Sequence, residues 1–347
     1  MKVLVTDPIS ESGISFLKEA DFSVVQLYNA SKEDIVRACE DVDGWIIRSG
    51  TKIDKKMIKA AKKLKAIGRA GVGVDNIDID QATKMGIIVM NTPDVNTISA
   101  AEHSIAMMLA LSRNISIGDS EVKQMKWNRH LLIGSELRGK TLGLVGMGKI
   151  GREVMSRCIS FGMNVLGYDP FVNKEMFKDG EIEIVDLDRL TEQSDFISIH
   201  VPLNSETRNL FDYQRLKKMK QNARIINVSR GGIINEKDLS LALRDGVICG
   251  AAIDVFTKEP IEKNNPLIDS PNILLTPHLG ASTEEAKEGV SISICQQLKS
   301  YLIDEKLENA INIPFGGLSR IKDLELSLKL SETIGRIQSQ INKGVIK

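Results

Sequence analysis

Short, nearly continuous apolar runs alternate with stretches whose apolar residues recur at helical spacing, from the first residues to about position 304. That rhythm predicts parallel strands joined by crossover helices, because a strand covered on both faces reads as an unbroken apolar run. Two such series are present. The first has strands over 2–6 (KVLVT), 22–27 (FSVVQL), 45–49 (WIIRS), 64–70 (LKAIGRA) and 86–90 (GIIVM). The second has strands over 141–146, 164–169, 195–201, 223–229, 247–255 and 272–277. Helices fall between the strands, one of them opened by a capping box from Ser31 to Asp34.

Two longer helical stretches, 97–125 and 283–304, flank the second series, and the latter begins with a capping box from Ser282 to Glu285. They read as crossings between two α/β units: the chain leaves the first near Asn96, builds the second, and returns after His278. A double crossing predicts a cleft with a hinge, where ligands collect. The run KKMIKAAKKLK at 55–65 is strongly basic, yet Met57, Ala61 and Leu64 recur at helical spacing, so it reads as a solvated helix face. A further apolar stripe, Leu326, Leu330, Ile334, Ile337 and Ile341, predicts an amphipathic helix over 322–343 that must be covered by the body or by a partner.

Composition narrows the classes of partner. The chain has 347 residues, enough for about two domains at roughly 100–200 residues each. Lys plus Arg and Asp plus Glu number 46 each, so no global field draws nucleic acid or an anionic membrane. Cys39, Cys158, Cys249 and Cys295 lie far apart with no CxxC pair, which points to reduced thiols and to neither a disulfide framework nor a metal site. The start MKVLVTD enters a strand directly, and no stretch approaches the ~18 apolar residues of a membrane span. A cytoplasmic protein with a small-molecule partner is expected.

The stretch KTLGLVGMGKIGREVMSRCISFGMNVLGYD, 140–169, carries the first chemistry. It is a strand, a GxGxxG turn at Gly146, Gly148 and Gly151, a helix, a second strand and an acid, which is the layout of a dinucleotide site. Gly146 permits the tight turn, Gly148 leaves no Cβ between backbone and pyrophosphate, and Gly151 lets helix and strand pack closely. The helix N-terminus offers unpaired N–H groups to a diphosphate. Asp169 lies 18 residues beyond Gly151, where a carboxylate can accept from ribose hydroxyls and would repel a 2′-phosphate; NAD is expected as cofactor.

Three further segments each follow a strand: INVSRGG (226–232), DVFTKEP (254–260) and TPHLGAST (276–283). In open α/β sheets such loops carry ligand groups, so Arg230, Glu259 and His278 are expected above one sheet edge. Hydride transfer between NAD and a 2-hydroxy acid needs such a set. A guanidinium holds the carboxylate, an imidazole moves the hydroxyl proton, and a carboxylate orients and stabilises the imidazole. Singly, these residues read as a surface ion pair, a turn residue and a loop histidine. Together, behind a dinucleotide motif, they are better explained by one site.

These motifs, with SDFISIHVPLNSETRNLF (194–211) and MKQNARIINVSRGGIINEKDL (219–239), resemble the D-isomer-specific 2-hydroxyacid dehydrogenases over about residues 1–315. The resemblance implies two doubly wound parallel-sheet α/β domains, a Rossmann nucleotide-binding domain (97–283) inserted into a flavodoxin-like substrate domain (1–96 and 284–315), with a helical extension over 316–347. It implies Arg230, Glu259 and His278 as the catalytic set. NAD contacts beyond the glycines are implied at Lys149, Ile150, Asp169, Val201, Pro202, Val228, Ser229, Asp254 and Gly280.

IIRSGTK (46–52), IGRAGVGVDNID (67–78) and NTPDVNTISAAE (91–102) resemble the 3-phosphoglycerate dehydrogenase branch. That branch implies a phosphorylated substrate, met by Arg48 and Arg69 as charge-assisted donors and by Ser49, with backbone at Val72 and Gly73 on the carboxylate and Asn96 beside it. Trp127 and Arg129, in KWNR, resemble the branch's dimer arm and imply a homodimer. A glyoxylate or hydroxypyruvate reductase is the enzymatic alternative, and an NAD(H)-sensing, corepressor-like binding protein the alternative of another class.

Overall fold

Valine, isoleucine and leucine runs too short for helices form strands buried on both faces. The second residue series, for example, holds Phe196–Ile199 with all four side chains out of solvent. The computed structural model describes residues 1–172, 177, 182–313, 327 and 329–338. Within these, the chain forms two compact units, Met1–Val95 with Lys287–Lys347, and Asn96–Ala286.

The first unit has five strands: β1 (Lys2–Val5), β2 (Ser23–Gln26), β3 (Gly44–Ile47), β4 (Ala66–Arg69) and β5 (Ile88–Met90). They pair in parallel in the order β2-β1-β3-β4-β5, the doubly wound arrangement of flavodoxin-like sheets. Only the edge strand β2 shows exposed residues at its ends, as an edge position permits. Trp45 is fully buried and still satisfied, its Nε1–H donating to Thr6 Oγ1 at 3.0 Å. Ile294, Cys295 and Leu298 of the helix Glu284–Leu302 pack with Val3, Val5 and Ile46 of this sheet.

The second unit has seven strands: β6 (Thr141–Val145), β7 (Asn164–Tyr168), β8 (Glu183–Ile184), β9 (Phe196–Ile199), β10 (Arg224–Asn227), β11 (Gly250–Ile253) and β12 (Ile273–Leu275). Their order is β12-β11-β10-β9-β6-β7-β8, all parallel. This is the Rossmann order with a strand added at one edge, and the direction of winding reverses between β6 and β9. The crevice at that reversal is where the loops after β6, β7, β9 and β10 emerge. Ala101, Ile105 and Met108 of the helix Thr97–Ser112 cover one face with Leu142 and Leu144.

The long helix expected over 97–125 is two helices, Thr97–Ser112 and Ile115–Lys123. Asn114 breaks it by adopting a left-handed backbone (φ 54°), a conformation asparagine tolerates better than most residues. The cap of the last long helix also falls one residue later than expected: the Ala286 N–H donates to Thr283 Oγ1 at 3.0 Å, and the helix starts at Glu284. Ser31 does accept from the Asp34 N–H, at 3.1 Å. Met57, Ala61 and Leu64 of the lysine-rich run are buried, and its lysines face outward.

Of the expected C-terminal stripe, Leu326 and Ile341 lie outside the described residues. Residues 329–338 are helical, and Leu330, Ile334 and Ile337 are exposed on this chain. All four cysteines are unpaired, and burial pushes the thiols of Cys39 up to about 11 and of Cys158 and Cys295 up to about 12. Among the described residues no helix is long and apolar enough to cross a membrane, and no cluster of metal-ligating side chains forms.

Candidate active site

Strand β6 ends at Val145 and the chain turns at Gly146, whose φ of 100° is one that a side chain would strain. A Cβ there would lie 2.5 Å from the His200 carbonyl oxygen, and one on Gly151 would lie 2.1 Å from the Gly146 carbonyl oxygen. Gly148 is different. It caps the helix Lys149–Ser160, and a Cβ on it would meet nothing within 4 Å. Two glycines are therefore demanded by the protein's own packing, while the third faces open space at a helix N-terminus, where a diphosphate finds unpaired N–H groups.

Asp169 follows β7 and accepts the Met147 N–H on Oδ2 at 2.8 Å and the Phe171 N–H on Oδ1 at 2.9 Å. Each oxygen keeps a lone pair, so the carboxylate is oriented beside the glycine turn and can still accept from hydroxyls. Ile150 packs with the cluster on one face of the sheet and Val201 with that on the other. Pro202 lies in the loop after β9, its carbonyl accepting from Thr207 at 2.6 Å. These residues fit an adenine dinucleotide: an open glycine at a helix N-terminus, an oriented acid at the next strand end, and apolar walls.

The loop after β10 is wound around one buried amide. Asn227 donates from Nδ2 to the Arg230 carbonyl at 2.9 Å, and its Oδ1 accepts the Ser229 N–H at 3.0 Å and the Ser229 hydroxyl at 2.8 Å. Arg230 donates from Nη1 to the Ser229 carbonyl at 2.7 Å. Gly231 abuts the loop after β11 so closely that a Cβ would stand 1.9 Å from the Phe256 carbonyl carbon. The two loops can meet only through a glycine.

Phe256 in turn donates its N–H to Glu259 Oε1 at 3.0 Å, and Glu259 Oε2 lies 2.6 Å from His278 Nδ1. Burial raises the Glu259 carboxyl, but the hydrogen bonds from His278 and Phe256 outweigh it and hold the group below the ordinary carboxylate range. An ionised Glu259 accepts only, so Nδ1 carries its proton and Nε2 is left as the exchanging nitrogen.

His278 itself has a left-handed backbone (φ 55°). Its N–H donates to the Asp254 carbonyl at 2.8 Å, and the next two N–H groups, of Leu279 and Gly280, donate to the Asp254 carboxylate at 2.7 and 2.9 Å. Asp254 is fully buried. Burial raises its carboxyl, while donors from His103, Thr276, Leu279 and Gly280 bring it below the ordinary value. Gly280 also lies against Val228, where a Cβ would come within 2.8 Å of Cγ1.

The residues expected to meet the substrate divide between the units. Arg48, Ser49, Arg69, Val72 and Gly73 belong to the first, at the C-terminal ends of β3 and β4. Asp7 Oδ2 accepts the N–H groups of Arg48 and Thr51 at 2.6 and 3.0 Å, and Asn76 Nδ2 donates to the carbonyls of the same two residues at 2.7 and 2.6 Å. The Arg48–Ser49 loop is thus pinned from both sides. Arg69 donates to the Ala70 carbonyl at 3.3 Å and lies over Gly71, and the Val72 carbonyl accepts from Asn91 at 2.7 Å. Asn96 and Arg129 belong to the second unit, Asn96 before the helix Thr97–Ser112 and Arg129 exposed in the turn Arg129–Leu131. Asp7, Asn76, Asn227, Thr276 and His103 organise these loops although no motif in the sequence points to them individually. Asp7 and Asn227 had a visible signal, a polar side chain at a strand's C-terminal end.

Residues 105–280 match the family model described as D-isomer specific 2-hydroxyacid dehydrogenase, NAD binding domain. The chain belongs to this family. It is 43% identical over 347 residues to the D-3-phosphoglycerate dehydrogenase of Methanocaldococcus jannaschii, covering 100% of this chain and 66% of that one. It spans 55–66% of the length of the curated relatives it matches. Among solved structures, the TT0316 protein from Thermus thermophilus superposes with a TM-score of 0.83 at 32% identity, over 90% of this chain and 100% of that one. The NAD-dependent formate dehydrogenase from Staphylococcus aureus, solved in complex with NAD, gives 0.81 at 29% identity over 91% and 100%. The two-sheet α/β architecture expected from the sequence is that of these family members.

Proposed function

We propose that this chain is an NAD-dependent dehydrogenase that oxidises 3-phospho-D-glycerate at its 2-hydroxyl to 3-phosphohydroxypyruvate, a step in serine biosynthesis. The observation that carries the reading is the 2.6 Å contact between Glu259 and His278, in post-strand loops of the unit that bears the glycine turn. The 43% identity to a D-3-phosphoglycerate dehydrogenase across the whole chain supports the choice of substrate.

In this reading His278 Nε2 takes the hydroxyl proton as the C2–H bond breaks, and the imidazolium so formed is held by the Glu259 carboxylate. NAD, when bound, accepts the hydride from C2 and becomes NADH. Arg230 binds the substrate carboxylate and polarises the forming carbonyl. Gly146, Gly148, Lys149, Ile150, Gly151, Asp169, Val201, Pro202, Val228, Ser229, Asp254 and Gly280 are proposed to line the cofactor. Arg48 and Arg69 are proposed for the phosphate, with Ser49, Val72, Gly73, Asn96 and Arg129 on the rest of the substrate.

A homodimer is part of the proposal. Met125, Trp127, Leu131 and Ile133 are among the most exposed large apolar side chains of the second unit, and a patch of this kind calls for a partner surface. Unpaired thiols, three of the four buried, agree with a reducing cytoplasm. Equal numbers of basic and acidic residues give no reason to propose nucleic acid or a membrane as partner.

The test is NADH formation by purified protein with 3-phospho-D-glycerate, and the reverse reaction with glyoxylate and hydroxypyruvate. Preference for the phosphorylated acid supports the proposal. Equal use of phosphorylated and unphosphorylated acids would end the phosphate assignment, and NADH binding without any turnover would favour a sensor.

A further inference from the structure

The helix Thr97–Ser112 meets the loop that carries His278 at two points: Ser99 Oγ lies 2.9 Å from Thr283 Oγ1 at the loop's far end, and His103 reaches the stretch around His278 itself. His103 Nε2 lies 3.3 Å from Asp254 Oδ1 and 3.3 Å from Thr276 Oγ1. The Thr276 hydroxyl proton is already committed to the same Asp254 oxygen, at 2.6 Å. Both neighbours of Nε2 are therefore acceptors, so that nitrogen carries the proton and shares it between them.

Asp254 Oδ1 thus collects His103, Thr276 and the Leu279 N–H, while Oδ2 takes the Gly280 N–H and the main-chain carbonyl takes the His278 N–H. The residue in the middle of this clamp, His278, is held in a left-handed backbone that a β-carbon disfavours. Thr276, Leu279, Gly280 and His278 all belong to the loop itself. His103 is the donor that reaches the clamp from a different element, with Met107 one turn on, its Sδ 3.6 Å from Thr276 Oγ1.

We propose that His103 is a positioning residue: its Nε2–H, shared by Asp254 and Thr276, anchors the 276–280 loop to the helix and so holds the His278 imidazole in line with Glu259. The inference rests on the reading of His278 as the proton-transfer group, and its test is chosen to stand apart from that reading.

The test compares His103→Gln, whose amide N–H reaches as far as Nε2, with His103→Asn, whose shorter amide does not. The first readout is amide hydrogen exchange at Leu279 and Gly280, which requires no turnover. In His103→Asn exchange there should be about tenfold faster than in the parent, the scale of one lost hydrogen bond to a charged group, and in His103→Gln it should return toward the parent rate.

The second readout is kcat. His103→Asn should lower it about tenfold and His103→Gln should bring it back toward the parent, because the affected step is proton transfer. Thr276→Val should show the same loosening, and the double variant His103→Asn/Thr276→Val should be no looser than the worse single one, since both act on one carboxylate oxygen. Equal exchange in His103→Asn and His103→Gln, or additive effects in the double variant, would overturn the proposal. Altered exchange in a protein that oxidises no 2-hydroxy acid would support the anchoring and refute only the catalytic reading.

Discussion

Replacing Glu259 by glutamine removes one charge from the proposed proton-transfer pair and little volume. The carboxylate lies 2.6 Å from His278 Nδ1 and also accepts the Phe256 N–H at 3.0 Å. A hydrogen bond to a charged group is worth about 1.5–3 kcal/mol. The two side chains retain 37% and 41% of their exposure, so solvent screening places the loss near the lower end, about 1.5–2 kcal/mol. At roughly 1.4 kcal/mol per decade, kcat should fall about 10- to 30-fold. The assay is steady-state NADH consumption during reduction of 3-phosphohydroxypyruvate, the direction in which the imidazolium must exist before it gives up its proton. The Kd for NADH should not change, because Glu259 is not assigned to the cofactor. Parental kcat in Glu259→Gln, or a loss carried entirely by weaker NADH binding, would refute the pairing.

The glycines of the turn should separate in their effects. Gly151→Ala puts a Cβ 2.1 Å from the Gly146 carbonyl oxygen and should lower Tm, whereas Gly148→Ala meets nothing in the protein and should leave Tm alone while weakening NADH binding, read by calorimetry. Arg69→Ala and Arg48→Ala should each raise KM for the phosphorylated acid and leave glyoxylate reduction unchanged; equal losses on both substrates would make them structural residues. Asp254, held below its ordinary value of 3.8, contributes stability that is present above that pH and lost as pH falls through the lowered folded value. Parent protein should therefore exceed Asp254→Asn in Tm at neutral pH, and the gap should close as pH falls through the lowered folded value.

The fold was legible because its strands are central and parallel. WIIRS, DFISIHV and ARIINVS are apolar on both faces, and the observed strands Gly44–Ile47, Phe196–Ile199 and Arg224–Asn227 lie almost wholly within the predicted runs. What escaped was local or tertiary. The break at Asn114 has neither proline nor glycine to announce it, and depends on one asparagine going left-handed. Strand β8 is two residues at a sheet edge, too short for any period to show.

At the site, the glycine turn and Asp169 were readable because their spacing along the chain is their spacing in space. His103 and Asp254 are 151 residues apart, and their contact arises only when the helix Thr97–Ser112 closes on the sheet. Asp254, proposed to line the cofactor, also binds the loop of His278 through its carboxylate, a role that no local pattern carries.

The most direct measurement is single-turnover oxidation of 3-phospho-D-glycerate by His278→Ala beside the parent, with NADH affinity measured on both proteins. The account predicts that the chemical step slows by about 100-fold or more while NADH binds as before. His278→Ala that turns over at the parental rate, with the same affinity, would contradict it.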